Sequence, residues 1–288
     1  MNPAAVEQGV IQSGLIGRNI LASRSPWLHE QEAKAQGLDL RYDLFDFSER
    51  GLADEALGPF LLELRDRGFV GVNVTYPFKQ AVIDSLDSLA ESARLVGAVN
   101  TVAMRGGRTT GHNTDMHGFR DSLAGGLAGA RPGRVLQLGA GGAGAAVASA
   151  LVSLDAARLD IFDVDPERAE ALADHLRRQS GKDVRGRGAP PTETGSFDGI
   201  VNATPIGMNA HRGVPIDPDL IDERHWVADI VYFPLETELL RVARAKGCRT
   251  IDGSGMVIGQ AAQAFEIITG HAADTERMRR SFFATNAA

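Results

Sequence analysis

Apolar residues along the first third of the chain switch between the two-residue period of strands and the wider spacing of helices. Residues 9–17 and 40–47 alternate as strands do, and residues 70–74 alternate valine with small or polar residues. Helical spacing covers residues 23–37 and 57–68. This order of strands and helices predicts a small α/β domain at the start of the chain.

A less regular stretch follows the third predicted strand. Two short helices are predicted near residues 78–86 and 87–95. Beyond them, two short strands flank the Arg105–Arg108 turn, an arrangement typical of a β-hairpin. The pattern changes at Asp115, so we place the end of the first domain at residue 114.

Strands and helices alternate regularly in the next part of the chain. The predicted strands lie at the start of 134–154 and within 158–165, 198–207, 226–232 and 249–253, and the predicted helices are the rest of 134–154, 166–181 and 237–247. Such alternation predicts a Rossmann-type, doubly wound parallel sheet. Only residues 186–195 read as a loose stretch, and the tail reads as helical. We therefore place a dinucleotide-binding domain at 115–252.

Composition narrows the class of protein without identifying it. The 288 residues are 43% hydrophobic and 23% charged, as in an average globular protein. A net charge of -7 argues against a nucleic-acid-binding protein. Cys248 is the only cysteine, which leaves no disulfide framework. No apolar run reaches the length of about 18 residues that a membrane helix needs, and no signal peptide is visible, so a cytoplasmic location is expected.

A glycine-rich turn follows the first strand of the second domain. Gly139, Gly141 and Gly144 have the G-x-G-x-x-G spacing between a strand and a helix. The first glycine allows a tight turn, the second lets backbone approach a pyrophosphate, and the third lets helix and strand pack closely. The candidate cofactor-binding segment is therefore Gly139, Ala140, Gly141, Gly142, Ala143 and Gly144.

Asp163 ends the next predicted strand, 19 residues after Gly144. A carboxylate there can bind ribose hydroxyls and repels a 2′-phosphate, so NAD is favoured over NADP as the cofactor. Arg168 follows five residues later, and we expect it on the solvent face of its helix. The alternative interpretation is a glycine-rich turn that serves only the packing of the helix against the strand.

Lys79 stands just past the end of the strand at 70–74, after Pro77. Loops that follow strands carry much of the chemistry of α/β proteins. Taken alone, such a lysine is more often a surface residue in a first helical turn, so its neighbours in the chain must decide.

Seven stretches of sequence together resemble the shikimate/quinate dehydrogenase family. They are SRSPWLHE, GVNVTYPFKQ, GAVNTV, GHNTDMHGF, GAGGAG, VNATPIGM and DGSGMVIGQAAQAF, spread from about residue 14 to residue 268. Three details are more similar to the NAD-using quinate/shikimate branch: the acidic FDVD strand end, Glu30 after His29, and DIVYFPLETELL. The resemblance implies a substrate-binding first domain that residues 253–288 complete.

The resemblance also implies an activity. The expected reaction moves a hydride between NAD and a ring hydroxyl of shikimate or quinate, giving 3-dehydroshikimate or 3-dehydroquinate. Two alternatives stay open: an NADP-dependent biosynthetic shikimate dehydrogenase, and a relative that acts on another cyclic hydroxy acid. A non-catalytic dinucleotide-sensing protein is a more remote alternative. The expected partner is a small cyclic hydroxy acid, and the chain is expected as a monomer or homodimer.

Site residues follow from the same resemblance. Lys79 and Asp115 resemble the catalytic pair of the family. The residues implied to bind substrate are Ser23, Ser25, Thr75, Lys79, Asn100, Asp115, Tyr232 and Gln260. Beside the glycine turn and Asp163, the residues implied to contact the cofactor are Asn202, Thr204, Gly253 and Met256.

Oxidation of a hydroxyl requires that its proton leave as the carbonyl forms, so a base or a proton relay must be within reach. Lysine has a reference pKa of about 10.4 and can act as a base near neutrality only if burial or positive charge lowers its pKa. The negative charge of Asp115 would act in the opposite direction, because it favours the charged ammonium form of lysine. Lys79 is therefore either the base or an electrostatic clamp on the reacting oxygen.

Several of these residues also have plain structural interpretations. Ser25 can be the N-cap of the helix that follows it, which is compatible with carboxylate binding. Asn100 and Gln260 can be amides satisfied by protein partners. His29 is expected to pack in a helix, and His112 and His117 lack the spacing of metal ligands, so no metal is predicted.

Overall fold

The computed structural model describes residues 9–189 and 191–286 of the chain. They divide into two compact units. The first unit takes the described residues up to Thr114 and those from Gln260 onward, and the second takes Asp115–Gly259. No helix in the described part of the chain has both the length and the apolar character that crossing a bilayer requires.

Six strands form the sheet of the first unit. They are β1 (Ile11–Gly17), β2 (Leu40–Asp46), β3 (Gly71–Val74), β4 (Ser88–Leu89), β5 (Thr101–Arg105) and β6 (Arg108–His112). Their order is β2-β1-β3-β5-β6-β4. β1 pairs in parallel with β2 and β3, whereas β5 runs antiparallel to β3 and β6. The predicted hairpin at the RGGR turn is confirmed.

The helices of this unit are α1 (Ser25–Ala35), α2 (Leu57–Asp66), α3 (Glu91–Val96) and α9 (Thr275–Asn286). Helix α8 spans Ser254–Thr269, and its part from Gln260 onward also belongs to this unit. Apolar side chains of β1, β3 and α2 form a core around Phe47, Leu61 and Phe78, each no more than 1% exposed. The helix expected near 78–86 is only a short 3-10 helix, Ala81–Ser85, and β4 and α3 replace the helix expected at 87–95.

The second unit is a Rossmann-type sheet with six parallel strands. They are β7 (Arg134–Leu138), β8 (Arg158–Phe162), β9 (Val184–Arg187), β10 (Gly199–Asn202), β11 (Trp226–Asp229) and β12 (Arg249–Ile251). The order is β12-β11-β10-β7-β8-β9, which confirms the predicted doubly wound fold. β9 was not expected, because Val184–Arg187 runs into the stretch that reads as loose.

The helices of the second unit are α4 (Asp115–Gly126), α5 (Gly142–Ser153), α6 (Pro166–Ser180), α7 (Glu238–Ala245) and the start of α8. The predicted boundary lies at residue 253, whereas the division between the two units falls after Gly259, inside α8. Glycines explain the difference: a Cβ on Gly255 would lie 2.2 Å from Ser122 Oγ, and one on Gly259 would lie 2.9 Å from Gly118 Cα. The first turns of α8 therefore pack closely on α4.

Candidate functional site

The predicted substrate-binding residues of the first unit lie at one edge of its sheet. Ser23 and Ser25 follow β1, while Thr75 and Lys79 follow β3, and these two strands are parallel. Asn100 directly precedes β5, whose antiparallel direction puts its start at the same edge. Gln260 lies on another element, half-buried in the part of α8 that belongs to this unit.

Asp46, the last residue of β2, anchors the loop that carries the two serines. Its carboxylate accepts hydrogen bonds from the backbone N–H groups of Asn19 (3.0 Å), Ile20 (2.6 Å) and Ser48 (2.9 Å). Burial would raise the pKa of this carboxyl, but the backbone bonds outweigh burial and lower it. Ser23 N in turn donates to Ile20 O at 2.9 Å. The serine loop is thus fixed by an ionised side chain.

The two serines begin a chain of polar side chains under this edge. Ser23 Oγ donates to Ser25 Oγ at 3.1 Å, and the Ser25 hydroxyl lies beside the phenol of Tyr42, where it lowers the pKa of the phenol against the larger, opposite effect of burial. The Tyr42 hydroxyl donates to Asn73 Oδ1 at 2.7 Å, and Asn73 Nδ2 donates to Asn100 O at 3.2 Å. A buried phenol and amide therefore connect the predicted carboxylate-binding loop to Asn100.

Ser25 does not cap helix α1, contrary to expectation. The helix begins at Ser25 itself, and Arg24, at the cap position, makes no side-chain capping bond, whereas Ser23 Oγ accepts from Ser25 N at 3.2 Å. The hydroxyl of Ser25 therefore takes part in the polar chain and not in helix termination.

Asn100 continues the polar chain toward Asp115. Asn100 Oδ1 accepts from Thr114 N at 2.8 Å, and Asn100 Nδ2 donates to Thr114 Oγ1 at 2.9 Å. Asn100 is only 3% exposed, so it is an amide satisfied largely by protein. Its NH2 group carries two hydrogens, which leaves capacity for a ligand. Thr114 immediately precedes Asp115, a buried residue that opens α4.

Tyr42 and Asn73 were not predicted as site residues. Tyr42 is 4% exposed, and its ring stacks on His29 with centroids 4.7 Å apart. Burial lowers the pKa of His29 to about 4 and raises that of Tyr42, so both rings are neutral. His29 thus packs in the core as expected. In the sequence, Tyr42 and Asn73 read only as alternating strand positions, and nothing there signals their hydrogen bonds.

The segment around Lys79 is a tight turn held by backbone hydrogen bonds. Phe78 N donates to Thr75 O at 2.9 Å, and Val99 N donates to Lys79 O at 2.7 Å. The Tyr76–Pro77 peptide bond is cis. Phe78 is buried in the core, while Thr75 and Lys79 are half-buried. The buried phenylalanine therefore anchors the turn whose next residue is Lys79.

The glycine turn of the second unit has the geometry that its spacing predicts. Gly139 has a φ of +100°, and a Cβ there would lie 2.7 Å from Ala203 O. A Cβ on Gly144 would lie 2.4 Å from Gly139 O, so helix and turn touch there, whereas Gly141 has open space around its Cβ position. Gln137, which was not predicted, donates to both Gly139 O and Gly144 O at 2.8 Å. The open side of the turn lies at Gly141.

Asp163 is tied to the same turn. Its Oδ2 accepts from Ala140 N at 2.7 Å, and its Oδ1 accepts from Asp165 N at 3.0 Å. Arg168 is half exposed but reaches back, with Nη1 3.9 Å from Asp163 Oδ1. The expectation that Arg168 simply faces solvent is therefore incomplete, because its guanidinium partly offsets the charge of Asp163.

Asn202 ends β10, and Thr204 lies in the loop that follows it. Asn202 is fully buried, and its Oδ1 accepts from Thr204 N at 3.0 Å and from Thr204 Oγ1 at 2.7 Å. Its Nδ2 donates to Ile206 O and to Asp229 Oδ1, both at 2.9 Å. Every hydrogen-bonding group of this side-chain amide has a partner in the protein, so Asn202 shapes the loop. Its contact with a cofactor stays a prediction.

Three further predicted residues lie in the second unit. A Cβ on Gly253 would lie 2.6 Å from Ile230 O, so the chain needs glycine there. Met256 is 6% exposed and mostly core. Tyr232 is 39% exposed, and its partial burial, with a smaller contribution from the charge of Asp115, raises the pKa of its phenol.

Three features define the class of the protein as a dinucleotide-dependent oxidoreductase. They are a glycine turn at a helix N-terminus, an acidic residue at the end of a strand, and a polar edge of the first sheet that carries a lysine. Comparison with known families supports this class. The shikimate dehydrogenase substrate-binding domain matches residues 15–102, and the shikimate 5′-dehydrogenase C-terminal domain matches residues 253–281. Residues 105–190 match the C-terminal domain of alanine dehydrogenase/PNT.

The chain belongs to the shikimate/quinate dehydrogenase family, which confirms the resemblance seen in the sequence. It is 51% identical to the shikimate dehydrogenase (NADP(+)) of Pseudarthrobacter chlorophenolicus, over 93% of each chain. It is 48% identical to the quinate/shikimate dehydrogenase (NAD(+)) of Corynebacterium efficiens, over 93% of this chain and 96% of that one.

A solved structure of the family shares the whole fold. Quinate dehydrogenase from Corynebacterium glutamicum in complex with NAD superimposes with a TM-score of 0.85 at 43% identity, covering 96% of this chain and 99% of that one. Relatives thus include both NAD and NADP enzymes at comparable identity.

Proposed function

We propose that the protein transfers a hydride between NAD and a ring hydroxyl of shikimate or quinate. The observation that carries this proposal is the edge of the first sheet, where Ser23, Ser25, Thr75, Lys79 and Asn100 follow or precede neighbouring strands. The hydrogen bonds beneath that edge support a preorganised pocket for a small polyhydroxylated ring.

The carboxylate of the acid is assigned to the serine loop. Ser23 and Ser25 carry hydroxyls 3.1 Å apart at the start of α1. Hydroxyl and helix N-terminal N–H groups together suit a carboxylate, since the helix dipole favours negative charge there.

Lys79 and Asp115 are proposed as the catalytic pair. The hydride leaves the ring carbon with its electron pair for nicotinamide, the hydroxyl proton leaves the oxygen, and a carbonyl forms. Lys79 either accepts that proton or, as ammonium, stabilises charge on the oxygen. Asp115 is proposed to bind a ring hydroxyl of the substrate through its carboxylate. Nicotinamide supplies the hydride acceptor when it is bound.

The cofactor is proposed to be NAD. Asp163 presents a buried carboxylate at the end of β8, tied to the glycine turn through Ala140 N at 2.7 Å. Like charges disfavour a 2′-phosphate beside it. NADP remains the second candidate, because Arg168 lies 3.9 Å from Asp163 and relatives about as similar use NADP.

A steady-state assay of the purified protein tests the proposal with four combinations: shikimate or quinate, each with NAD or NADP. Lys79→Met should lower kcat by about 100-fold or more with either acid, as expected for loss of a proton-transfer or charge-stabilising group. Lys34→Met, at an exposed lysine of α1, serves as the matched control and should keep wild-type rates.

Turnover of both acids with NAD, and little with NADP, supports the proposal. Turnover of shikimate with NADP alone would assign the NADP-dependent biosynthetic activity and contradict the role given to Asp163. Absence of turnover, with dinucleotide still bound, would point to another hydroxy acid or to a sensing protein.

A further inference from the structure

A buried carboxylate connects the ends of two neighbouring strands in the second unit. Asn202 and Asp229 are paired in register as the last residues of β10 and β11. Asp229 is 1% exposed. Its Oδ1 accepts from Asn202 Nδ2 at 2.9 Å and from Val231 N at 3.0 Å, and its Oδ2 accepts from Thr237 Oγ1 at 2.7 Å. Three protein donors therefore converge on one carboxylate.

Each of these donors belongs to a different segment at the carboxyl edge of the sheet. Asn202 holds the loop with Thr204, as its Oδ1 accepts both bonds from that residue. Val231 directly precedes Tyr232. Thr237 is the N-cap of α7, where its Oγ1 also accepts from Leu240 N at 3.3 Å. One side chain thus fixes two loops and a helix start.

The first of these loops touches the glycine turn. A Cβ on Gly139 would lie 2.7 Å from Ala203 O and 3.0 Å from Thr204 Cγ2. The loop and the turn are therefore in close contact, and a shift of the loop after β10 must move atoms beside the dinucleotide-binding segment.

We propose that Asp229 is a positioning residue for dinucleotide binding, acting through Asn202 on the loop that bears Thr204. This inference rests on the proposed function, because it assumes that the glycine turn binds the cofactor. A carboxylate is suited to the task, since it accepts several hydrogen bonds and bonds to a charged acceptor are the stronger ones.

Asp229→Asn tests the inference, with Asp160→Asn as a matched control. Asp160 is also a fully buried carboxylate of the same sheet, but its partners are Arg158 Nε at 2.6 Å and Arg187 Nε at 2.7 Å. The dissociation constant for NAD, measured by fluorescence titration, should rise about tenfold to a hundredfold in Asp229→Asn, the loss expected for a charge-assisted bond. It should stay within a factor of about two in Asp160→Asn, while that variant loses thermal stability.

A second readout separates positioning from a purely structural role. In Asp229→Asn, KM for NAD should rise while KM for the acid at saturating NAD stays near the wild-type value. Thr237→Val removes one donor to the same carboxylate without adding bulk, and it should weaken NAD binding in the same direction.

A folded Asp229→Asn protein that binds NAD as wild type does would overturn the inference. If Asp229→Asn does not fold, Thr237→Val decides: unchanged NAD affinity overturns the inference, and weakened affinity supports it. Wild-type protein that binds neither NAD nor NADP overturns the proposed function instead, so the two failures are distinguishable.

Discussion

Replacing Asp229 by Asn should make the protein progressively more stable relative to wild type as the pH rises toward neutrality, even as it weakens NAD binding. Burial raises the pKa of Asp229 to about 6 from an ordinary value of 3.8, although bonds from Thr237, Val231 and Asn202 act in the opposite direction. Because the pKa is higher in the folded state, the contribution of this group to stability is present below pH 3.8 and is lost as the pH rises through about 6.

The pKa difference sets the size of the effect. At 1.36 kcal/mol per unit of pKa shift, the full effect is about 3 kcal/mol, of which about 2 kcal/mol falls between pH 4 and pH 7.5. Asparagine carries no charge and does not titrate in this range. The stability of Asp229→Asn relative to wild type should therefore improve by about 2 kcal/mol between pH 4 and pH 7.5.

Urea denaturation of both proteins at several pH values between 4 and 7.5 measures this difference directly. The comparison cancels the titration of all other groups, since they are shared. A difference in unfolding free energy that stays constant across this range would refute the reasoning, because it would mean that Asp229 does not titrate between the two limits. If the variant instead becomes steadily less stable than wild type as the pH rises, the predicted sign of the stability difference is wrong.

Three further predictions concern other parts of the molecule. Arg277→Met should destabilise the protein by about 3–5 kcal/mol, since it leaves the buried Glu32 carboxylate without its ion-pair partner; urea denaturation measures this, and replacing both residues by Met should recover most of the loss. Gly144→Ala should cost about 1–3 kcal/mol through overpacking against Gly139 O, whereas Gly141→Ala should leave the melting temperature unchanged. Tyr42→Phe should cost about 1–2 kcal/mol and raise KM for the acid, because Asn73 loses its bond from the phenol and Ser25 loses a polar neighbour; unchanged stability and KM would contradict this role.

Sequence patterns predicted the second unit well because its signals are local. The glycine spacing at 139–144, the strand before it and the acid at Asp163 lie within a short stretch, and each has one dominant structural meaning. The alternation of strands and helices along the chain then predicted that the sheet is parallel. β9 was missed because Gly186 and two arginines, in a strand at the sheet edge, hide the apolar alternation.

The site of the first unit was only partly predictable. Lys79 and the serines were found because motifs carry them, but their supports come from distant parts of the chain. Asp46 holds a loop 26 residues earlier, and Tyr42 bonds to Asn73, 31 residues later. Such partners are set by which strands become neighbours. The periodicity of a single segment carries no information on such neighbours. The bonds by which Asn202 supports Thr204 were for the same reason not predicted.

The pairing of Glu32 with Arg277 has a consequence for how the protein is made. Glu32 lies in the second helical turn of α1, yet Arg277, whose guanidinium binds its carboxylate through two nitrogens at 2.8 and 2.6 Å, is synthesised 245 residues later. At about 5–20 residues per second, a ribosome needs roughly 12–50 s to supply it. The second unit is one continuous segment and can fold in that interval, whereas the first unit must wait with a carboxylate unpaired. We therefore expect nascent chains to present an unfinished first unit to chaperones until Arg277 has been synthesised.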